Sequence, residues 1–130
     1  MKKIITLALS VIFFFVSCTS NDSESKSVLT PIPLTKESYN PKSVCDCSKD
    51  GIQNLTKILK VREKFSTTES YNKDIKSVQD ISTLSDNFII IRNACLMKFS
   101  TTLLNPSECN NPYKIRELRE KLTSLGVQTN

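Results

Sequence analysis

The chain has 130 residues, with 18 Lys and Arg against 13 Asp and Glu, 38% hydrophobic residues, and neither His nor Trp. That length holds one domain and no more, and the lack of His removes the commonest general base, metal ligand and pH switch. Setting aside Lys2 and Lys3, which precede an apolar run, leaves 16 basic against 13 acidic residues. So small and scattered an excess, without a basic stripe or interleaved stacking aromatics, argues against a nucleic-acid partner.

The first element is a leader. Lys2 and Lys3 form a positive start, and residues 4–16 are an almost unbroken apolar run of 13. A spanning helix needs about 20 residues, so this run has the size of a signal-peptide core. Phe15, Val16, Ser17 and Cys18 then stand where a lipobox would, a small residue directly before the cysteine. In this the chain resembles bacterial lipoproteins, with Phe15 in place of the usual Leu. The resemblance covers about the first 20 residues. It implies cleavage before Cys18, diacylglycerol on the Cys18 sulfur and an acyl group such as palmitate on the new amino terminus. A thiolate suits that role because it is a good nucleophile, and two or three chains, at about 0.8 kcal/mol per buried methylene, hold a protein where one is marginal. Thr19 resembles the pattern of lipoproteins sent to the outer membrane. Asp22 and Glu24 resemble the acidic surface-export signal of the Bacteroidetes.

From Thr19 to Val44 the chain is rich in Ser, Thr, Asn and Lys and holds Pro31, Pro33 and Pro41. Such a stretch buries too little apolar surface to offset its conformational entropy. A flexible tether is expected, with a root-mean-square span of roughly 28 Å. Val28, Leu29, Ile32 and Leu34 interrupt the polar pattern, and docking of these residues on the domain as an extended arm is the favoured reading of them.

Between Gly51 and Pro106 lie 54 residues without Gly or Pro, and helical spacing fills most of them. Ile52, Leu55, Ile58, Leu59 and Phe65 give the stripe of a first helix, with Ser48 or Asp50 as its N-cap. Ser66 and Glu69 have capping-box spacing and predict a second start. Apolar residues then recur at steps of three and four from Ile75 to Leu103. A break or kink is expected between Ser82 and Asn87, where helix-poor polar residues cluster. A strand at residues 88–91 is the competing reading, but no second convincing strand exists to pair with it. Asn105-Pro106 ends this element. Asn111 as N-cap and Pro112 at the first helical position begin the last helix. Its face is Ile115, Leu118, Leu122 and Leu125, and Gly126 is placed for a left-handed C-cap. Glu117 and Lys121 form an i,i+4 pair on its outer side, and the charges here read as a solvated face.

Four cysteines remain, Cys45, Cys47, Cys95 and Cys109. In an exported domain of about 80 residues, where a core alone supplies about 3–5 kcal/mol, disulfides are the expected staples. A Cys45–Cys47 bridge would close a strained and nearly useless loop. One of that pair is therefore expected to reach Cys95 and the other Cys109. Paired C-x-x-C knuckles for zinc and a C-x-x-C redox dithiol are both missing.

Other motifs fail on inspection. Asp46, Ser48 and Asp50 before Gly51 imitate the first half of a calcium loop, but Lys57 occupies the position of its bidentate Glu. Leu122 to Gly126 faintly resembles the helix of peptidoglycan-binding repeats, a nonspecific signal. Asn54-Leu55-Thr56 fits a glycosylation sequon that means little in a bacterial chain. No phosphate loop, nucleophile elbow or spaced carboxylate pair is found.

These residues predict a signal peptide over 1–17, lipidated Cys18 with a flexible tether over 18–44, and a helical domain over 45–130. The expected fold class is all-α, a small three- or four-helix bundle stapled by disulfides. No catalytic residue, metal, cofactor or small-molecule substrate is expected. The expected function is that of a noncatalytic, lipid-anchored protein of the cell envelope, on the periplasmic side of the outer membrane or at the cell surface. Its partners would be the membrane, through Cys18, and another envelope protein. An envelope inhibitor or immunity-type protein is the alternative, followed by a cryptic hydrolase or peptidoglycan binder.

Overall fold

The computed structural model describes residues 30–130, so the leader and Cys18 lie outside the described residues. The described chain is all-helical. Helices α1 (Val44–Arg62), α2 (Thr68–Lys73), α3 (Ile75–Phe99) and α4 (Pro112–Ser124) are joined by short turns, with a 3-10 turn at Ser100–Leu104. Residues 88–91, the candidate strand, lie within α3.

Helix α1 starts earlier than its apolar stripe suggests. Ser43 is the N-cap, not Ser48 or Asp50, and it forms a reciprocal capping box with Asp46. The Ser43 hydroxyl accepts from the Asp46 N–H at 3.1 Å, and the Asp46 carboxylate accepts from the N–H groups of Ser43 and Lys42, both at 3.0 Å. These amide donors hold the Asp46 carboxyl below the usual carboxylate range. Four otherwise orphaned N–H groups at a helix start make this capping worth more than the extra turn costs. Ser48 and Asp50 are thereby released for tertiary contacts. The Ser48 hydroxyl accepts from the Asn111 N–H at 2.9 Å, and Asp50 accepts from the Tyr39 hydroxyl at 3.0 Å.

The second start is also shifted by one residue. Thr67 and Ser70 form the capping box, while Glu69 pairs with Lys73 at 2.7 Å on the surface. Asp74 then closes α2 and opens α3, accepting from the Ser77 N–H at 2.7 Å. That bond holds its carboxyl low as well.

No break interrupts α3 at residues 82–87. The polar residues there cost only about 0.5 kcal/mol each relative to Ala. Ile81, Leu84, Phe88 and Ile91, all buried at helical spacing, outweigh that cost by packing. Helix α4 begins and ends as its sequence predicts. Asn111 accepts from the Lys114 N–H at 2.9 Å, Pro112 opens the helix, and Gly126 takes a left-handed φ of 80° just beyond it. The Glu117–Lys121 pair does not form. Glu117 binds Lys114 at 2.7 Å, and Lys121 reaches across to Glu63 at 2.6 Å, which ties α4 to the end of α1.

The main core lies where α1, α3 and α4 meet, centred on Leu55, Ile58 and Leu122, each 0% exposed. A second, smaller cluster joins Cys47, Ile91 and Cys95, with Leu34, Tyr39, Phe99 and Leu103 packed against it. The cysteines pair forward as the sequence predicts. Cys45 bonds Cys109 and Cys47 bonds Cys95, with Cα separations of 5.1 and 5.9 Å.

Residues 30–43, expected within the flexible tether, lie along the body as an arm. Asn87 holds it with both ends of its side-chain amide, accepting from the Leu34 N–H at 2.6 Å and donating to the Ile32 carbonyl at 2.8 Å. Those are two groups an extended chain turns to the same side, so the amide stands in for a neighbouring strand. Lys98 donates to the Pro41 carbonyl at 2.6 Å. Leu34 docks, whereas Ile32 stays 81% exposed.

A buried cation closes the opposite end. Arg62, 3% exposed, donates to the carbonyls of Leu125 and Phe65, both at 3.0 Å, and to the Thr68 hydroxyl at 3.1 Å. Its guanidinium also lies 5.2 Å from the centre of the Tyr71 ring. The cation is matched by carbonyl dipoles near two helix ends in place of a carboxylate.

Candidate functional site

Three depressions flank α3; one of about 390 Å³ is a shallow one against the C-terminal residues 126–130, and the other two differ in kind. One of about 520 Å³ lies beneath the arm, with both signs of charge around it, Asp50 and Asp80 together with Lys57 and Lys60. It is the seam where the arm packs on the body. The other, about 420 Å³, opens between the first turns of α1, the second half of α3, the 3-10 turn and the start of α4. Its volume falls in the range of about 300–1,000 Å³ typical of binding sites. This groove is the candidate site.

Its floor is apolar. Phe88 and Ile91 rise from α3 and Ile115 from α4, while Gly51 on α1 presents no side chain. A methyl at Gly51 would meet Ile115 and Phe88 at 3.5 and 3.7 Å, an ordinary contact, so close approach does not demand glycine there. The mouth is apolar too. Leu96 is exposed, Leu104 is 68% exposed and Tyr113 is 59% exposed, and all three line the opening.

Three guanidinium groups border this surface, Arg92 from α3 and Arg116 and Arg119 from α4, and among the described residues no Asp or Glu lines it. The Arg116 guanidinium stacks 5.5 Å from the Tyr113 ring centre and lies 4.0 Å from Glu120, a loose surface pair. Arg119 makes a long 3.5 Å contact with the Thr129 hydroxyl. The Nε of Arg92 is buried without a hydrogen-bond partner among the described residues. A buried unsatisfied donor costs about 1–3 kcal/mol, and more when it is charged.

The loop beside the groove is shaped by Asn110. Its side-chain amide donates to the carbonyls of Leu103 and Asn105 at 3.0 and 2.7 Å, and the Cys45–Cys109 bridge ties the same loop to α1. These bonds fix the 3-10 turn that carries Leu104.

Comparison with known proteins finds no matching family model, no matching curated protein and no matching solved structure. The groove's chemistry therefore carries the argument alone. It offers guanidinium donors and apolar contact. The sulfurs of Cys47 and Cys95 that face it are joined to one another. Among the described residues no group of three or more His, Cys, Asp or Glu gathers in metal-binding geometry. No helix among them is long and apolar enough to cross a membrane.

The cysteines singled out from the sequence are brought together in two pairs, and Cys47 and Cys95 line the groove. The arginines were hidden, because the charges of α4 read as a solvated face. A compositional signal was present nonetheless. The chain has only four arginines against 14 lysines. One of the four is the buried Arg62 and the other three border the groove. Arginine is the residue for buried and bidentate contacts, and lysine the one for solvated charge.

Proposed function

We propose that this chain is a noncatalytic, lipid-anchored protein of the cell envelope, held through Cys18, whose helical domain works by binding another envelope protein. The observation that supports this reading is the arginine-bordered apolar groove. It combines an exposed tyrosine with three guanidinium groups, residue types enriched at the centres of protein interfaces, and sets them beside exposed leucines. A lipid on Cys18 would confine the domain to a surface, where even a weak contact gains from high effective concentration.

Crosslinking in native membranes tests the reading. Wild-type chain is expected to capture a defined envelope protein, and a Leu104→Asp/Tyr113→Asp variant, altered at two exposed positions, is expected to lose it. An identical captured set for both chains would remove the groove from the function. Should the captured protein be a lytic enzyme or toxin whose turnover stops on binding, the domain is an inhibitor of the immunity type. The anchor has its own test. Cys18→Ala should abolish fatty-acid labelling and membrane retention, and continued labelling would refute it.

A further inference from the structure

We infer that the groove receives an acidic, apolar segment of its partner, a stretch presenting two or three carboxylates beside large apolar side chains. This rests on the binding role proposed above and names the chemistry of the occupant.

Three observations converge on it. The first is charge. Arg92, Arg116 and Arg119 approach one groove from two helices, and no Asp or Glu among the described residues lines it; the loose 4.0 Å contact of Arg116 with Glu120, outside the groove lining, offsets little of that charge. A single-chain amphiphile, a fatty acid for example, brings one anion and would leave two of these cations unanswered. A peptide with several acidic side chains answers all three. The second is the choice of residue. In a chain that otherwise relies on lysine, arginine stands at each of these positions, and the guanidinium fork fits a carboxylate with two parallel hydrogen bonds.

The third observation is shape. The apolar surface does not end at the concavity but continues outward over exposed Leu96, Leu104 and Tyr113. An enclosed acyl chain has no use for apolar side chains turned to solvent at the mouth. A segment crossing the groove would cover them, with one side chain seated over Phe88 and Ile115 and its neighbours over the rim. An amphipathic helix lying in a groove has this arrangement, its apolar side chains at steps of three and four and its acidic residues beside them. Aligned on α4, Arg116 and Arg119 are one turn apart, which matches acidic residues spaced three or four apart on such a helix.

The test uses the full chain, disulfides intact, held in phospholipid nanodiscs. A phage-displayed library of random peptides about 16 residues long, enough for four helical turns, is panned against it. Enriched peptides should combine two or more Asp or Glu with Leu, Phe or similar residues at helical spacing. For an enriched peptide, fluorescence anisotropy should show affinity falling about tenfold or more with Arg92→Ala/Arg116→Ala/Arg119→Ala and with salt raised from about 0.05 to about 0.5 M. Leu104→Asp guards against misfolding of the triple variant, because its side chain is exposed in the wild type. It sets a repelling carboxylate at the mouth and should abolish binding. A basic or uncharged consensus, an unchanged affinity in Leu104→Asp, or an empty panning alongside sodium laurate binding at the groove would each overturn the inference. Those results would leave capture of a partner in native membranes standing, whereas failure to capture any defined envelope protein there would sink the function itself.

Discussion

At one end of the bundle Leu55, Ile58 and Leu122 are wholly withdrawn from solvent, and the side chains of three helices interlock around them. At the other end the buried cluster is Cys47, Ile91 and Cys95, with the arm and the 3-10 turn laid against it. Apolar packing holds the first end. Both disulfides lie at the second, together with the groove and its exposed leucines and tyrosine. Side chains that face outward cannot also fill a core. Where the domain turns apolar residues outward, covalent bonds supply the cohesion that burial would have given.

The largest test of this contrast removes the buried bridge. Cys47→Ala/Cys95→Ala opens a loop of 48 residues and should cost about 4 kcal/mol, read by urea denaturation. Hydrogen exchange should show the arm and the 3-10 turn losing protection before the leucine end. Uniform loss across both ends would dissolve the distinction between them. Leu122→Ala, at the packed end, should cost about 3 kcal/mol. Its loss should persist whether the disulfides are intact or reduced; a cost below about 1 kcal/mol would show that the packed end is not packed.

Asn87→Ala should be smaller. Losing two hydrogen bonds to the arm should cost about 1–2 kcal/mol, with faster exchange at the Leu34 amide and little change near Leu122. An equal response at both sites would mean that the arm belongs to the main core. Smallest is the acid response of the two caps. The carboxyls of Asp46 and Asp74 are both held below their usual value by backbone amides. Their stabilisation is therefore complete above the ordinary carboxylate pKa of about 3.9 and lost as pH falls through the lower folded value. Thermal melts from pH 5 to pH 2 should flatten in Asp46→Asn and Asp74→Asn, and an unchanged acid slope in both would remove the caps from this account.

The contrast between the two ends also explains how much the amino-acid sequence discloses. The packed end was legible because periodicity reports burial: Leu55, Ile58, Leu118 and Leu122 stand at helical steps and do what those steps predict. The cap of α4 was legible because Asn111, Pro112 and Gly126 act locally. The forward pairing of the cysteines followed from the uselessness of a bridge between Cys45 and Cys47. The start of α1 was masked by its own cysteines, and the box of Ser43 and Asp46 has the right spacing but Asp where Glu or Gln is usual. Asn87 looked like a helix breaker because its partners, Ile32 and Leu34, lie more than 50 residues away. The groove was hidden for the same reason. Arg92 shares a groove with Arg116 and Arg119 only once α3 and α4 have both packed on α1, and no local pattern records that meeting.

The two bonded cysteines of α1 sit two residues apart, so their side chains leave the helix in nearly opposite directions, roughly 200° apart around its axis. One is fastened to α3 and the other to the loop before α4. A shaft pinned from both sides cannot spin. Any change in the width of the groove must therefore come from rotation of exposed side chains such as Leu104 and Tyr113, while the α1 side stays as rigid as an anvil.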